Sequence, residues 1–237
     1  MVDVTGSTHD DLVMEVRNGN SKDGVVLVAE FQSAGRGRLD RSFHAPERSA
    51  LLFSFFVRPR RDSADWGWLP LLAGQAVVAA IETRCKLGRA IKLKWPNDIL
   101  IDEKKVAGIL SERVDAPEGA GVVIGIGINV DLREDELPVT TATSLYLQGC
   151  MESNREDLLV AVLRSFSEYL NRWESKDRKL LQEYKTASAT IGQWVQIVSP
   201  AGMISESMAI GIDPGGALIL ANDEHVTVGN IVHLRSI

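Results

Sequence analysis

"AIKLKWPNDILIDEKKVAGIL", residues 90–110, holds three short apolar runs separated by two turn clusters. Alternation along "IKLK" puts Ile91 and Leu93 on one face of a strand and Lys92 and Lys94 on the other. Pro96 ends that strand, because a prolyl nitrogen has no hydrogen for the ladder. "ILI", the turn "DEK" and "KVAGILSE" then read as a hairpin. Alternation in its second arm groups Lys105 with Ala107 and Ile109, a lysine at the mouth of an apolar surface, while Lys104 is a turn residue facing water. A further buried strand, "GVVIGIGINV", follows at 121–130.

Outward from this centre, residues 8–16 have helical spacing, with Ser7 or Thr8 as N-cap. "GVVLVAE" is a buried strand, and "ALLFSFFVRP" is another, stopped by Pro59. "DWGWLPLLAGQAVVAAIETRCKLG" reads as a long helix closed by Gly88. An amphipathic helix over 153–174 opens with Ser153 and Glu156 at capping-box spacing, and another covers about 176–186. From residue 193 the pattern changes to short apolar runs broken by "PAG", "PGG" and "ANDE", a small all-β unit packed on the main one.

The bulk composition narrows the function. The 237 residues are 45% hydrophobic and 24% charged, with net charge −6, so the chain as a whole offers nucleic acid no basic face. No uninterrupted apolar run nears the roughly 18 residues of a membrane span. The first residues lack the layout of a signal peptide. Cys85 and Cys150 read as two reduced thiols, neither a disulfide framework nor a metal site. A cytoplasmic, globular protein is expected.

Four places invite chemistry. "FQSAGRGRLDRSF" sets Arg36, Arg38 and Arg41 in a loop broken by Gly35 and Gly37; alone, it is either a solvated turn or an anion-binding loop. Its spacing is not that of a P-loop NTPase. Its polar, like-charged centre predicts disorder without ligand. Asn97 and Asp98 sit at a strand end, just beyond Lys94. Lys105 is the third place. The fourth is "VIGIGIN", where Gly125, Gly127 and Asn129 share one face as a smooth floor ending in an amide. His9, His44, His225 and His233 show no metal-binding spacing, and no G-x-S-x-G elbow or dinucleotide fingerprint is present.

Together these motifs resemble the biotin–protein ligases, in the short form without a DNA-binding domain. "GSTHDD", "GRGR", "KWPNDI", "KKVAGIL" and "GIGINV" stand in that family's order, and the likeness runs from about Ser7 to the final "HLRS". The resemblance implies an α+β fold: a mixed, class II synthetase-like sheet with helices on one side, then a small SH3-like β-barrel. The expected division is 1–188 and 189–237. It also implies two steps: biotin and magnesium-ATP give biotinyl-5′-AMP, and the biotinyl group passes to a lysine of a biotin carboxyl carrier domain.

By the same resemblance Ser7, Thr8, His9, Gln32, Gly35, Arg36, Gly37, Arg38, Lys105, Gly108, Gly125 and Gly127 line the biotin pocket. Arg36, Arg38, Arg41, Phe43, Lys94, Asn97, Asn129 and Arg235 serve ATP. Lys105, Arg36 and Asp98 are the catalytic groups: an electrophilic lysine, a loop arginine over the ligand, and a carboxylate for the incoming amine. No protein ligand to magnesium is implied. The sequence departs from the family at His9 for asparagine, Leu39 for a frequent arginine, and Phe43 for tryptophan. Monomer and homodimer both occur in the family. The rival readings are a lipoate or octanoate ligase and a non-catalytic biotin sensor. A DNA-acting sensor needs a helix-turn-helix, for which the residues before "GSTHDD" are too few.

Overall fold

The structure, a computed structural model, describes residues 1–39, 41–150, 154–199 and 202–234. The first unit comprises β1 (Val2–Thr5), α1 (Thr8–Arg17), β2 (Val26–Gln32), β3 (Ala50–Val57), α2 (Leu69–Cys85), β4 (Ile91–Lys94), β5 (Asp98–Ile101), β6 (Lys104–Val114), β7 (Gly121–Asn129), α3 (Arg155–Glu174) and α4 (Lys179–Ala187). Its sheet has the order β1-β2-β3-β7-β6-β5-β4, antiparallel except for the β1–β2 pair. The second unit is a five-stranded antiparallel sheet in the order β11-β10-β9-β8-β12. Its strands are β8 (Trp194–Val198), β9 (Ile204–Ile212), β10 (Leu218–Leu220), β11 (His225–Val226) and β12 (Asn230–His233).

Burial explains the layers. β3 is buried along its whole length, so both of its faces are covered. Leu51, Phe53 and Phe55, with Ile124, Ile126 and Ile128 of β7, pack toward α2 and α3 in the main core. α2 is apolar all round and lies between the sheet and α3, as such a helix must. Residues 63–85, including the turn before α2, are long and apolar enough to cross a membrane by composition alone, but 67% of that apolar window is buried in the molecule. On the opposite face the short α1 sets Leu12, Val13 and Val16 against Phe56, Val114 and Val123. It covers only one end of that face. The remainder, over Gly108, Gly125 and Gly127, is where the cavity forms.

Several local expectations change. α2 stops at Cys85, and Lys86 with φ 46° takes the left-handed cap position instead of Gly88. Cys85 is joined to Cys150 in a disulfide, so the expected pair of free thiols is not what the structure holds. The two Cα atoms lie 5.1 Å apart, an ordinary bridging distance. α3 is capped by Asn154, whose Oδ1 accepts from the amides of Glu156 and Asp157; Ser153 lies outside the described residues. β1 was not expected at all. It lies exposed on the sheet edge, and the alternation in its four residues, "VDVT", is too short to distinguish a strand from an unstructured start.

The barrel is seated backbone first. Trp68 Nε1 donates to the Asp213 carbonyl (2.9 Å) and Trp95 Nε1 to the Gly216 carbonyl (3.1 Å). Gly67 lies so close that a Cβ there would sit 2.2 Å from the Gly215 carbonyl oxygen. Gly67→Ala therefore forces the two units apart and should destabilise the protein by about 1–3 kcal/mol, as overpacking does. Gly6→Ala, facing open space, is the control. Urea unfolding followed by tryptophan fluorescence checks this; equal midpoints for the two variants would refute the close seat.

Candidate active site

The cavity, about 1000 Å³ with its mouth, is walled by the start of α1, the arginine loop, the strand floor, the turn from β4 to β5 and the barrel residues Gly229, Asn230 and Ile231. Ser7 is both wall and helix cap, its Oγ accepting from the Asp10 amide. The Thr8 amide and hydroxyl both donate to Gln32 Oε1 (2.7 and 2.9 Å), and Thr8 Oγ1 also meets Ser54 Oγ at 2.9 Å. This fully satisfied group fixes one end of the cavity. Ser54, wholly buried in β3, gave no sequence signal because it reads as one polar residue in an apolar run.

His9 completes that end. It is 3% exposed, and neither ring nitrogen has a hydrogen-bond partner among the described residues. Nε2 lies 3.4 Å from Glu112 Oε2, close enough for charge attraction. The ring rests on the floor: a Cβ at Gly125 would come 3.0 Å from Nδ1. Gly127 serves the Phe43 ring in the same way, with a Cβ contact of 2.7 Å. The glycines thus admit rings against the backbone, as the smooth-floor reading requires.

The described residues of the arginine loop close as a small hairpin. The Gly37 amide donates to the Arg41 carbonyl (2.7 Å), the Phe43 amide donates to the Gly35 carbonyl (2.8 Å), and Arg36 bridges to Ser42. Gly35 is required there, since a Cβ would meet the Phe43 carbonyl oxygen at 2.4 Å. Gly35 supports the loop without lining the cavity. Arg36 turns to Asp10 on α1, at 2.5 Å. Arg38 is the more buried of the two; burial works against its charge, the Asp98 carboxylate supports it, and Arg41 opposes it.

Across the cavity Lys94 and Asp98 face each other in register between β4 and β5, and Lys105 Nζ lies 2.6 Å from Asp98 Oδ1. The amine of Lys94 is pushed below its usual range by burial first; Asp98 opposes this, and Lys105 and Arg41 add to it. Lys105 does not share a face with Ala107 and Ile109. The β5–β6 register shifts, with Ile99 opposite Ala107 and Leu100 opposite Lys105, so Val106 is a bulge. The extra residue moves Lys105 over Gly108, where a Cβ would meet Cε and Nζ at 3.1 Å.

The other expected residues divide. Arg41 and Asn97 line the cavity, though Asn97 Nδ2 donates to the Ile109 carbonyl (2.9 Å) and ties the turn to β6. Asn129 does not line it; its Nδ2 donates to the Thr143 carbonyl (2.9 Å). Arg235 lies outside the described residues. Among the described residues no group of three or more His, Cys, Asp or Glu forms a metal site.

The His9 environment sets a pH dependence. Burial holds its pKa below the ordinary 6.5 and Arg36 adds to this, while Glu112 and Asp10 oppose it. The unfolded chain therefore binds this proton first, and stability is lost as pH falls through 6.5 and below. His233 is shifted the same way, so the effect is read as a difference between proteins. His9→Asn should flatten the unfolding midpoint between about pH 7.5 and 5 relative to wild type. Parallel profiles would show that His9 is not held neutral.

The chain matches the model of the biotin/lipoate A/B protein ligase family over residues 1–129. It is 37% identical over 236 residues to the biotin–[acetyl-CoA-carboxylase] ligase of Mycobacterium tuberculosis, covering 98% of this chain and 87% of that one. It is 33% identical to the bifunctional ligase/repressor BirA of Bacillus subtilis, covering 94% of this chain and 69% of the relative. Among solved structures, the biotin protein ligase from Aquifex aeolicus in complex with biotin and ATP superposes with a TM-score of 0.82 at 28% identity, covering 99% and 97% of the two chains. By the family model over residues 1–129 and by the 37% identity along nearly the whole chain, the protein belongs to the biotin/lipoate A/B protein ligase family.

Proposed function

We propose that the chain is a biotin–protein ligase. It joins biotin to AMP with release of pyrophosphate, then passes the biotinyl group to a lysine of a biotin carboxyl carrier domain. The observation that carries this reading is the Lys105–Asp98 pair, flanked by Lys94 and Arg38 beside a glycine floor against which rings lie flat. Two anions, a carboxylate and a triphosphate, must approach each other in the first step. Cationic donors already in place act where charge develops, and one such donor contributes about 3 kcal/mol. Residues 1–188 would form the catalytic unit and 189–237 the barrel that closes its cavity.

In this reading biotin's ring lies at the Ser7, Thr8, His9 and Gln32 end. Lys105 exchanges Asp98 for the substrate carboxylate and later polarises the acyl oxygen. Asp98, released from Lys105, orients or deprotonates the incoming lysine. Lys94, Arg38, Arg41, Asn97 and Phe43 serve the nucleotide, with magnesium arriving on ATP. Arg38, the half-buried arginine of the cavity wall, would cover the intermediate and keep water from the mixed anhydride. Arg36 anchors the loop at Asp10. Asn129 would act at the nucleotide end only after giving up Thr143. The chain would work in the cytoplasm, as a monomer or homodimer, without nucleic acid or membrane.

Pyrophosphate release with magnesium-ATP should require biotin and fail with lipoate or octanoate, and an added carrier domain should gain a biotinyl mass. Release with lipoate instead would keep the lysine chemistry and overturn the pocket. Lys105→Ala should slow both half-reactions by roughly 10²-fold or more with the fold intact; undiminished pyrophosphate release would refute its role. Arg38→Ala should let the adenylate escape about tenfold faster in a stopped-flow assay, and Arg36→Ala less so. Equal escape from wild type and Arg38→Ala would remove the covering role.

A further inference from the structure

We propose that the Cys85–Cys150 disulfide is a redox-sensitive strap that positions Lys105. β6 pairs with β7 only from Ala107 onward, opposite Ile128. At the bulge, therefore, β7 gives Lys105 no partner. That side is held by the segment after β7, which returns alongside: the Lys105 amide donates to the Thr141 carbonyl and the Thr143 amide to the Lys105 carbonyl, each at 2.8 Å. Both backbone groups of Lys105 are thus engaged by the same three residues.

Residues 137–150 form no helix or strand beyond the bridge at Ala142, so contacts with their neighbours must hold them. Asn129 binds it at Thr143 and Leu145, and Gln148 Nε2 donates to Thr143 Oγ1 at 3.0 Å. The Cys150 amide donates to the Leu145 carbonyl (2.9 Å), and the Cys150 sulfur is bonded to the end of α2. α2 is the most enclosed helix of the core, so the bond ties the strap to a rigid anchor. Cys150 is 5% exposed, whereas Cys85 is only partly buried beside exposed residues at the helix end. A dithiol reductant would therefore attack at Cys85. Its thiolate forms a mixed disulfide there, and Cys150 leaves as a thiolate and takes a proton. The second thiol of the reductant then displaces Cys85, so the reductant is oxidised to a disulfide as both cysteines become thiols. In a reducing compartment a protein disulfide is commonly transient or redox-sensing. Here reduction would loosen the backbone around Lys105 and leave the biotin end of the cavity, held by Thr8, Gln32 and Ser54, untouched.

The strap rests on Lys105 being the ligase lysine, and the test separates the two ideas. Hydrogen exchange of the Lys105 and Thr143 amides, biotin affinity and biotin-dependent pyrophosphate release are measured on wild type before and after dithiothreitol, and after reoxidation. Cys85→Ser is measured in parallel. Reduction should lower protection of those two amides by about tenfold and slow pyrophosphate release by a similar factor, with biotin affinity within about twofold. Reoxidation should restore both, and Cys85→Ser should match the reduced enzyme and ignore dithiothreitol. Maleimide labelling of both cysteines without reductant would overturn the proposal, as would unchanged protection and rate. Loss of protection spread over the whole sheet together with biotin affinity would also overturn it, by making the bond a general staple. Local loss of protection in a protein that never releases pyrophosphate with biotin would uphold the strap and refute the ligase reading.

Discussion

Lys94, Lys105 and Arg38 converge on the carboxylate of Asp98 in a half-buried cleft, with Arg41 near enough to repel Lys94 and Arg38. Like charges so placed repel more strongly than in water, by several-fold at the effective dielectric of a protein surface. Such a group persists only if the backbone around it is held from several sides. The β4–β5 pairing sets Lys94 opposite Asp98, the bulge at Val106 turns Lys105 toward it, and Asn97 pins the intervening turn to β6. The strain is directed at a purpose, since an incoming polyanion relieves it. The site is therefore more comfortable filled than empty.

The sheet supplies the other half of the design through what it leaves uncovered. α2 and α3 occupy one face of the strands, and α1 covers only the Phe56 and Val123 end of the other. Glycines at 108, 125 and 127 keep the bare area flat enough for side-chain rings, and by extension ligand rings, to lie against the main chain. Apolar burial holds the layers together, while the absence of side chains at three positions makes the cavity.

Much of this was readable in the residues. The strands from 90 to 130, the long apolar helix and the change to an all-β unit near 193 follow from period and turn chemistry alone. The lysine at 105 was legible as out of place, but its facing was not, because a bulge shifts alternation by one residue and no residue type announces it. Ser54, Glu112 and the segment 141–150 were also hidden. Each acts through a neighbour distant in sequence: Thr8 for Ser54, His9 for Glu112, Lys105 for the strap. The disulfide was misjudged because spacing says nothing about which chain segments α2 will meet.

The seat of the barrel has a wider meaning. Two indole N–H groups of the large unit, on Trp68 and Trp95, recognise main-chain carbonyls of the small one, and the tightest approach is glycine against glycine. Side chains share the work: Val195, Ile197, Leu218 and Leu220 of the small unit belong to the same apolar core as Trp68, Leu93 and Trp95 of the large one. Main-chain groups and shared core together hold the wall at Gly229–Ile231 beside the cavity. The small unit is thus a fixed wall of the cavity, and a change at its seat would be felt at residues 229–231, far along the chain from Trp68 and Trp95.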